Sequence, residues 1–533
     1  MKKSIYTLAL IGLIQFGCTD NFDEINTDPT RSSEASFDAN LLLPSIQYKH
    51  ASATAGYNGS ILFQSMWVKI LASTTSGAAS YYSNADKYVI SSNTNSYLAS
   101  SWNTDFGAAS FAYEMEQLAA EKPLLSNLKN IAIIMQIQSL AAISDIYGDI
   151  PYSEALKAKS AGLILPVYDT QESIYKSMLS RLETAVVALD PAGAIPTNDA
   201  FTYKGDIVKW KKYGYSLMLK LAMRLTKVDL ATAKTYAEKA AKGGTFTSIS
   251  DDAYIMTDEA NGYTNGNGSA LSTPADVYQV RWSKRLIDYL KENDDPRLGK
   301  IAEVPQAGLA ANQSFDKAGN STPAIQMGLP NGYDLNGGAT DITKAPGYPG
   351  PTGSGADVTP IGNYSRPTQF YRDRSGPLYV LTYAQTELLL AEAATRGFAV
   401  GGTAAAHYKN AVSAGIQSLS YFGAEASIPA ATANAYAEAH PLVEANALKQ
   451  INEQYWATTG MFFNFVEAWN NWKRSGFPEL TPVNYVGNFS GGQIPRRQPY
   501  PTSEATLNGV NYNAAVGRLN GGNNWVSRSW WDK

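Results

Sequence analysis

Along most of the chain, apolar residues recur on a helical period. After Asp169 they stand at Ile174, Met178, Leu182, Ala185, Val186 and Leu189, an i, i+4, i+8 stripe that covers one face of a helix. Asp169 with Glu172 three residues on marks a capping-box-like start, and Asp190-Pro191 marks the stop. A second helix opens at Asp206 and carries Trp210, Leu217, Leu221 and Leu225 on one face; a third runs from Asp229 to a Gly243-Gly244 stop. Further helices are predicted over 378–396, 404–419, 443–458 and 461–473. Strand-like alternation is scarce, so the expected fold is all-α. The helices come in pairs with short turns, as in helical-repeat scaffolds. The run 388–393, followed by Ala405, His407, Tyr408 and Ala411, places small residues and a Tyr as tetratricopeptide units do. No clean period of that repeat recurs.

Between about 243 and 376 the character changes. This stretch is dense in Gly, Asn, Pro and Thr, and only 282–291 reads as a helix within it. Loops of this length are usually functional or disordered. Tyr263, Tyr278, Trp282, Tyr333, Tyr364, Phe370 and Tyr371 punctuate it, which favours an ordered, functional insertion. A second aromatic loop, 73–101, holds Tyr81, Tyr82, Tyr88 and Tyr97.

Composition narrows the function. The chain has 533 residues, 44% hydrophobic and 17% charged, which excludes disorder for most of it. Its 43 basic and 47 acidic residues give a net charge of −4, so no phosphate-neutralising surface is expected and nucleic acid is set aside as a partner. The 33 Tyr and 10 Trp outnumber the 17 Phe; Tyr and Trp pair an apolar face with a polar tip and suit wet binding surfaces. With one Cys and three His, an internal disulfide is impossible and no metal site or cofactor is expected.

Met1-Lys2-Lys3 and the apolar run 5–14 fit a secretory signal, being too short to span a bilayer. Gly17-Cys18 follows and looks like a bacterial lipobox, so residues 1–17 are expected to be removed and Cys18 acylated. Asp20, Asp23 and Glu24 resemble a signal for export to the outer face of the outer membrane.

Catalytic signatures are missing: there is no phosphate-binding G-x-x-x-x-G-K-[ST], no G-x-S-x-G and no G-x-G-x-x-G after a strand. His50, His407 and His440 lack ligand spacing. Asp145 and Asp149 stand i, i+4, but Gly148 and Pro151 stop the helix between them, so Asp149 is expected to cap the next short helix. Asp294-Asp295-Pro296-Arg297 reads as a helix C-terminal turn and not as a calcium loop.

The chain resembles the SusD/RagB family of nutrient-binding outer-membrane lipoproteins, in particular its second SusD-like subgroup. The resemblance rests on Phe22-Asp23-Glu24-Ile25-Asn26, Tyr147-Gly148-Asp149-Ile150-Pro151-Tyr152, Leu390-Ala391-Glu392-Ala393, Ile494-Pro495-Arg496-Arg497, Tyr500-Pro501-Thr502-Ser503-Glu504 and the closing Trp530-Trp531-Asp532. At Lys473 the family would supply Arg. The resemblance implies one domain over 18–533, with helices on a tetratricopeptide-like scaffold and long ligand-facing loops. It implies a non-enzymatic lipid-anchored surface protein that captures oligosaccharides and passes them to a SusC-like TonB-dependent transporter. A peptide-capturing lid of the same architecture is the alternative, and a surface glycan hydrolase a more distant one. The family motifs transfer no binding residues, so the site follows by elimination: helix faces pack, and ligand contacts fall to loops. Tyr81, Tyr82, Tyr278 and Trp282 are expected as stacking surfaces, with Asn84 and Asp86 as hydrogen-bonding groups. Trp282 opens a predicted helix with Leu286, so packing into the core is its competing role.

Overall fold

The computed structural model describes residues 37–56, 59–74, 85–91, 94–273, 278–314 and 316–533. Its longer helices are α1 (Leu42–Ser52), α2 (Thr94–Ala120), α3 (Ser126–Tyr147), α4 (Gln171–Val187), α5 (Ile207–Arg224), α6 (Leu230–Gly243), α7 (Lys284–Glu292), α8 (Tyr383–Thr395), α9 (Ala404–Gln417), α10 (Ala430–Ala439), α11 (Ala447–Met461), α12 (Phe465–Ser475) and α13 (Gly509–Arg518). From α1 to α6 each helix packs on the next. Then α5 meets α8, α8 carries both α9 and α11, α10 lies on α9, and α12 lies on α11. The all-α expectation holds.

Local chemistry sets most helix starts. Asp206 accepts hydrogen bonds from the Val208 and Lys209 amides, and Asp229 from that of Thr232, so each occupies donors that a helix N-terminus leaves unpaired. Thr382 and Gln385 form a reciprocal capping box at α8. The α4 stripe is buried as expected, with Ile174, Met178 and Leu182 fully covered while Val187 is 63% exposed. Its cap, however, is Thr170 rather than Asp169. The Asp169 carboxylate instead accepts from the Tyr152 and Ser153 amides at 3.1 and 2.8 Å. Asp149 does cap a helix, but a distant one: its Oδ1 accepts from the Gln171 amide of α4 at 2.8 Å and its Oδ2 from Arg518 Nε at 2.6 Å.

Among the described residues, eight short strands, β1 (Leu71–Ser73), β2 (Ile150–Pro151), β3 (Tyr168–Asp169), β4 (Ala253–Met256), β5 (Val280–Trp282), β6 (Ala302–Glu303), β7 (Arg366–Pro367) and β8 (Pro377–Leu381), form four antiparallel pairs: β1–β5, β2–β3, β4–β8 and β6–β7. Two of them correct predicted helices. The segment 378–381 is β8, buried along its whole length against β4, and α8 begins only after the Thr382 cap. Residue 282 ends β5, and α7 begins after the Ser283 cap. The described residues of the insertion are tied to the scaffold, β4 to β8 and β5 to β1.

Beneath the loops, the helices enclose a buried ionic centre. Arg224 of α5 donates to both oxygens of Glu467 on α12 at 2.7 and 2.6 Å, and its Nε donates to Asp145 of α3 at 3.3 Å. Trp531 Nε1 donates to Asp145 at 3.1 Å, which ties the C-terminus to the same centre. Lys473 lies between the Trp469 and Trp531 rings, with its Nζ 3.5 and 4.6 Å from their centroids. One large hydrophobic cluster runs through the helices, and a smaller one lies under the insertion. No helix of the described residues is long and apolar enough to cross a membrane.

Candidate functional site

Open concave surface is found both on helix faces, as beside Lys409 and Ser413 of α9, and at the loops. A cleft of about 490 Å³ opens where Lys69 just before β1, the 330–340 loop, the start of α7 and the 479–484 loop converge. That volume lies within the ~300–1,000 Å³ range of small-molecule sites.

Asp86 holds this region together. It is fully buried; its Oδ2 accepts from the Gly332 amide at 2.6 Å and its Oδ1 from Asn331 Nδ2, which also donates to the Leu71 carbonyl at 2.9 Å. Burial pushes the Asp86 carboxyl up, while Lys87, Lys69 and the two donors oppose the shift. Next to it, Tyr88 accepts from Lys69 Nζ and from the Val483 amide, both at 3.4 Å, and its carbonyl accepts from the Phe489 amide at 2.7 Å. Asp86 and Tyr88 of the 73–101 loop are thus tied to 331–332 and 483–489, so that loop and the insertion meet here.

Tyr333 lines the cleft. Tyr278, Tyr333 and Tyr348 are half-buried and rest on the small cluster of Ala72, Leu329, Ile342, Ala345, Ile361 and Tyr364. Tyr485 donates to Asp334 at 2.6 Å, and the Lys87 ammonium lies 5.7 Å from its ring centroid. An aromatic ring fixed in this way presents one face outward without losing freedom on binding.

Of the six residues expected at the site, Tyr81, Tyr82 and Asn84 lie outside the described residues, as does Cys18. Tyr278 is at the loop face. Trp282 is a correction: it is fully buried, its Nε1 donates to the Ile301 carbonyl at 2.9 Å, and Tyr371 and Phe463 pack edge-on against it. It is a core residue because β5 pairs with β1 and turns the indole inward. Asp86 is a second correction, since both of its oxygens are engaged within the protein and it positions the loop instead of meeting ligand. Sequence reasoning missed Lys69, Asn331 and Tyr348. Tyr333 was visible among the aromatics of the insertion, whereas nothing local marks a lysine as lining a cleft.

The carboxylates weighed as catalytic or calcium-binding candidates, Asp145 with Asp149 and Asp295, are engaged elsewhere, Asp149 with Gln171 and Arg518. Asp145 sits in the ionic centre, and Asp295 is fully buried with Arg297, whose Nε donates to it at 2.9 Å. The histidines have structural partners: His50 Nδ1 lies 2.8 Å from Asp105, His407 Nδ1 2.9 Å from Glu387, and His440 Nδ1 2.9 Å from the Tyr436 carbonyl. Among the described residues no group of His, Cys, Asp or Glu is arranged to hold a metal ion.

Fold and cleft together define a helical scaffold that presents long loops. The chain belongs to the SusD-like family described as starch-binding and associating with the outer membrane, which matches residues 29–501. Among solved structures it is similar to a chitin-binding protein at 29% identity, covering 93% of this chain and 99% of that one with a TM-score of 0.77. A chitin-binding SusD homologue from Flavobacterium johnsoniae shares the fold at 22% identity, 93% and 98% coverage and a TM-score of 0.71. A SusD-like protein from Bacteroides thetaiotaomicron does so at 21% identity, 93% and 99% coverage and 0.69. No curated protein matches the chain.

Proposed function

We propose that this protein is a non-catalytic cell-surface binder that captures oligosaccharides and hands them to a SusC-like TonB-dependent transporter. The observation that carries the reading is the loop face itself: a cleft lined by Tyr333, which rests on the same small cluster as Tyr278 and Tyr348, on a helical scaffold. Pyranose rings present C–H faces that stack on such rings, while Asn331, Asn484, Thr340 and Thr481 offer partners to hydroxyls. Membership of a family described as starch-binding supports a carbohydrate, and the chitin-binding protein at 29% identity directs the first trials to chito-oligosaccharides. The lipobox-like Gly17-Cys18 supports an acyl anchor in the outer membrane.

A glycan array run beside a peptide library tests the ligand class: saturable binding to oligosaccharides is expected, and binding to peptides alone overturns the reading. Incubation with the bound glycan is expected to release no product. Replacing Cys18 with Ala is expected to free the protein from membranes; a variant that stays acylated and membrane-bound places the anchor elsewhere.

A further inference from the structure

At its inner end the cleft holds a cation that no carboxylate among the described residues contacts. Lys69 lines the cleft although its residue is only 5% exposed. Among the described residues its Nζ has one hydrogen-bond partner, the Tyr88 hydroxyl at 3.4 Å, and stands 5.4 Å from the centroid of that ring. An ammonium carries three donors, so most of its capacity is available to a ligand. The other cations of the cleft are committed: Lys284 to Asp288, and Arg285 to Glu453 at 3.0 Å. Asp86 is close enough to be felt, but its oxygens are taken by Asn331 and Gly332.

The position of Lys69 is enforced. Its backbone and that of Tyr88 both have φ of 57°, a left-handed conformation that costs a side-chain-bearing residue free energy and persists only where surroundings over-determine it. The Ser283 hydroxyl donates to the Lys69 carbonyl and pins the turn. The protein thus holds a desolvated ammonium at a fixed point of the cleft, beside Pro330, Asn331, Pro482 and Val483.

We propose that this cleft binds the carboxylate of an acidic saccharide, a uronate or a sialate, on the Lys69 ammonium, with the sugar ring against Pro330, Pro482 and Val483. The inference rests on the carbohydrate function proposed above and adds the charge of the ligand. A single uncommitted cation matches a single carboxylate. Burial lowers the Lys69 ammonium to about 8, against the pull of Asp86 and with the push of Lys87. A carboxylate in contact opposes that lowering, so binding and protonation support each other. The other charged or titratable groups facing the cleft are Tyr88 beside Lys69, Tyr333 on the 330–340 loop, Lys284, Arg285 and Asp288 on α7, and Glu479 at the exposed rim.

The test is calorimetric titration of the full mature chain with tetragalacturonate against its fully methyl-esterified counterpart, and with sialyllactose against lactose. At pH 7 the acidic member of at least one pair is expected to bind about tenfold tighter or more, as for a hydrogen bond to a charged group. The preference is expected to shrink at pH 9 and to vanish in Lys69→Met while persisting in Lys242→Met, an exposed lysine of α6 outside the cleft. Equal binding of acid and neutral members in both pairs overturns the inference, as does a preference that survives in folded Lys69→Met. Should that variant not fold, an undiminished preference of the wild type at pH 9 overturns it instead. Binding confined to neutral glycans, chito-oligosaccharides included, removes the inference and leaves the carbohydrate reading standing. Failure to bind any glycan removes both.

Discussion

Trp282 is held by a hydrogen bond from its indole nitrogen and by two aromatic neighbours, with no face left to solvent. Trp282→Ala removes the largest side chain from the junction of β1 and β5 and is expected to cost about 3–5 kcal/mol, read by denaturant unfolding. Asp86 acts on a different quantity. Asp86→Ala leaves Asn331 and the Gly332 amide without their acceptor and removes the negative charge between Lys69 and Lys87. It is expected to weaken ligand affinity severalfold or more, with Asp86→Asn intermediate because one acceptor oxygen remains; equal affinity in a folded Asp86→Ala protein would show that the loop holds without it. At this scale the sequence identified residue types but not orientations. An excess of Tyr and Trp marks surfaces suited to binding, yet which ring faces water depends on strand partners from distant parts of the chain. Tyr278 and Trp282, four positions apart in one loop, fall on opposite sides of that choice.

Helices whose start is fixed by a side chain three residues or fewer away were legible: Asp206 and Asp229 cap as their local pattern requires. The segment 378–381 was not, because apolar residues in an unbroken run fit a buried strand as well as a buried helix, and the deciding partner, β4, lies over a hundred residues earlier. Asp149 shows the same limit in a cap. Its aspartate character announced a helix N-terminus, but the helix it serves is α4, reached across the β2–β3 pair. Gly148 makes this possible, since its φ of +89° turns the chain out of α3 and aims Asp149 back toward Gln171. Asp149→Ala removes the bond to the Gln171 amide and the ion pair with Arg518, and is expected to destabilise the protein by about 1–2 kcal/mol. Asp149→Asn, which keeps an acceptor for the amide, is expected to recover most of that in thermal melts. If both variants melt alike, the ion pair rather than the cap is the stabilising contact.

For the molecule as a whole, the buried charges set how stability depends on pH. Burial pushes the Glu392 and Glu467 carboxyls up, but Arg474 with Arg396, and Arg224 with Lys220, outweigh it and hold both at about 2. Their folded values lie below the unfolded one, so their stabilisation is complete above about pH 4.5 and is lost as pH falls toward 2. Asp252 runs the other way. It is fully buried, and burial raises its carboxyl to about 7 despite hydrogen bonds from the Tyr383 amide at 2.6 Å and the Ser418 hydroxyl at 2.7 Å. Its folded value lies above the unfolded one, so its contribution is complete below about pH 4 and is lost as pH rises through 7. His407, raised by the Glu387 carboxylate and the Gly401 carbonyl against the lowering effect of burial, adds to the same neutral-side loss. The melting temperature is therefore expected to peak near about pH 5, with a steep acid limb from the two glutamates and a shallower decline toward neutrality. Asp252→Asn is the discriminating variant, because it keeps an acceptor at the junction of β4 with α8 and α9 but cannot ionise. It is expected to flatten the decline between pH 5 and 7 while leaving the acid limb in place. A wild-type profile that rises steadily from pH 5 to 7, or an unchanged decline in the variant, would assign the neutral-side loss to other groups.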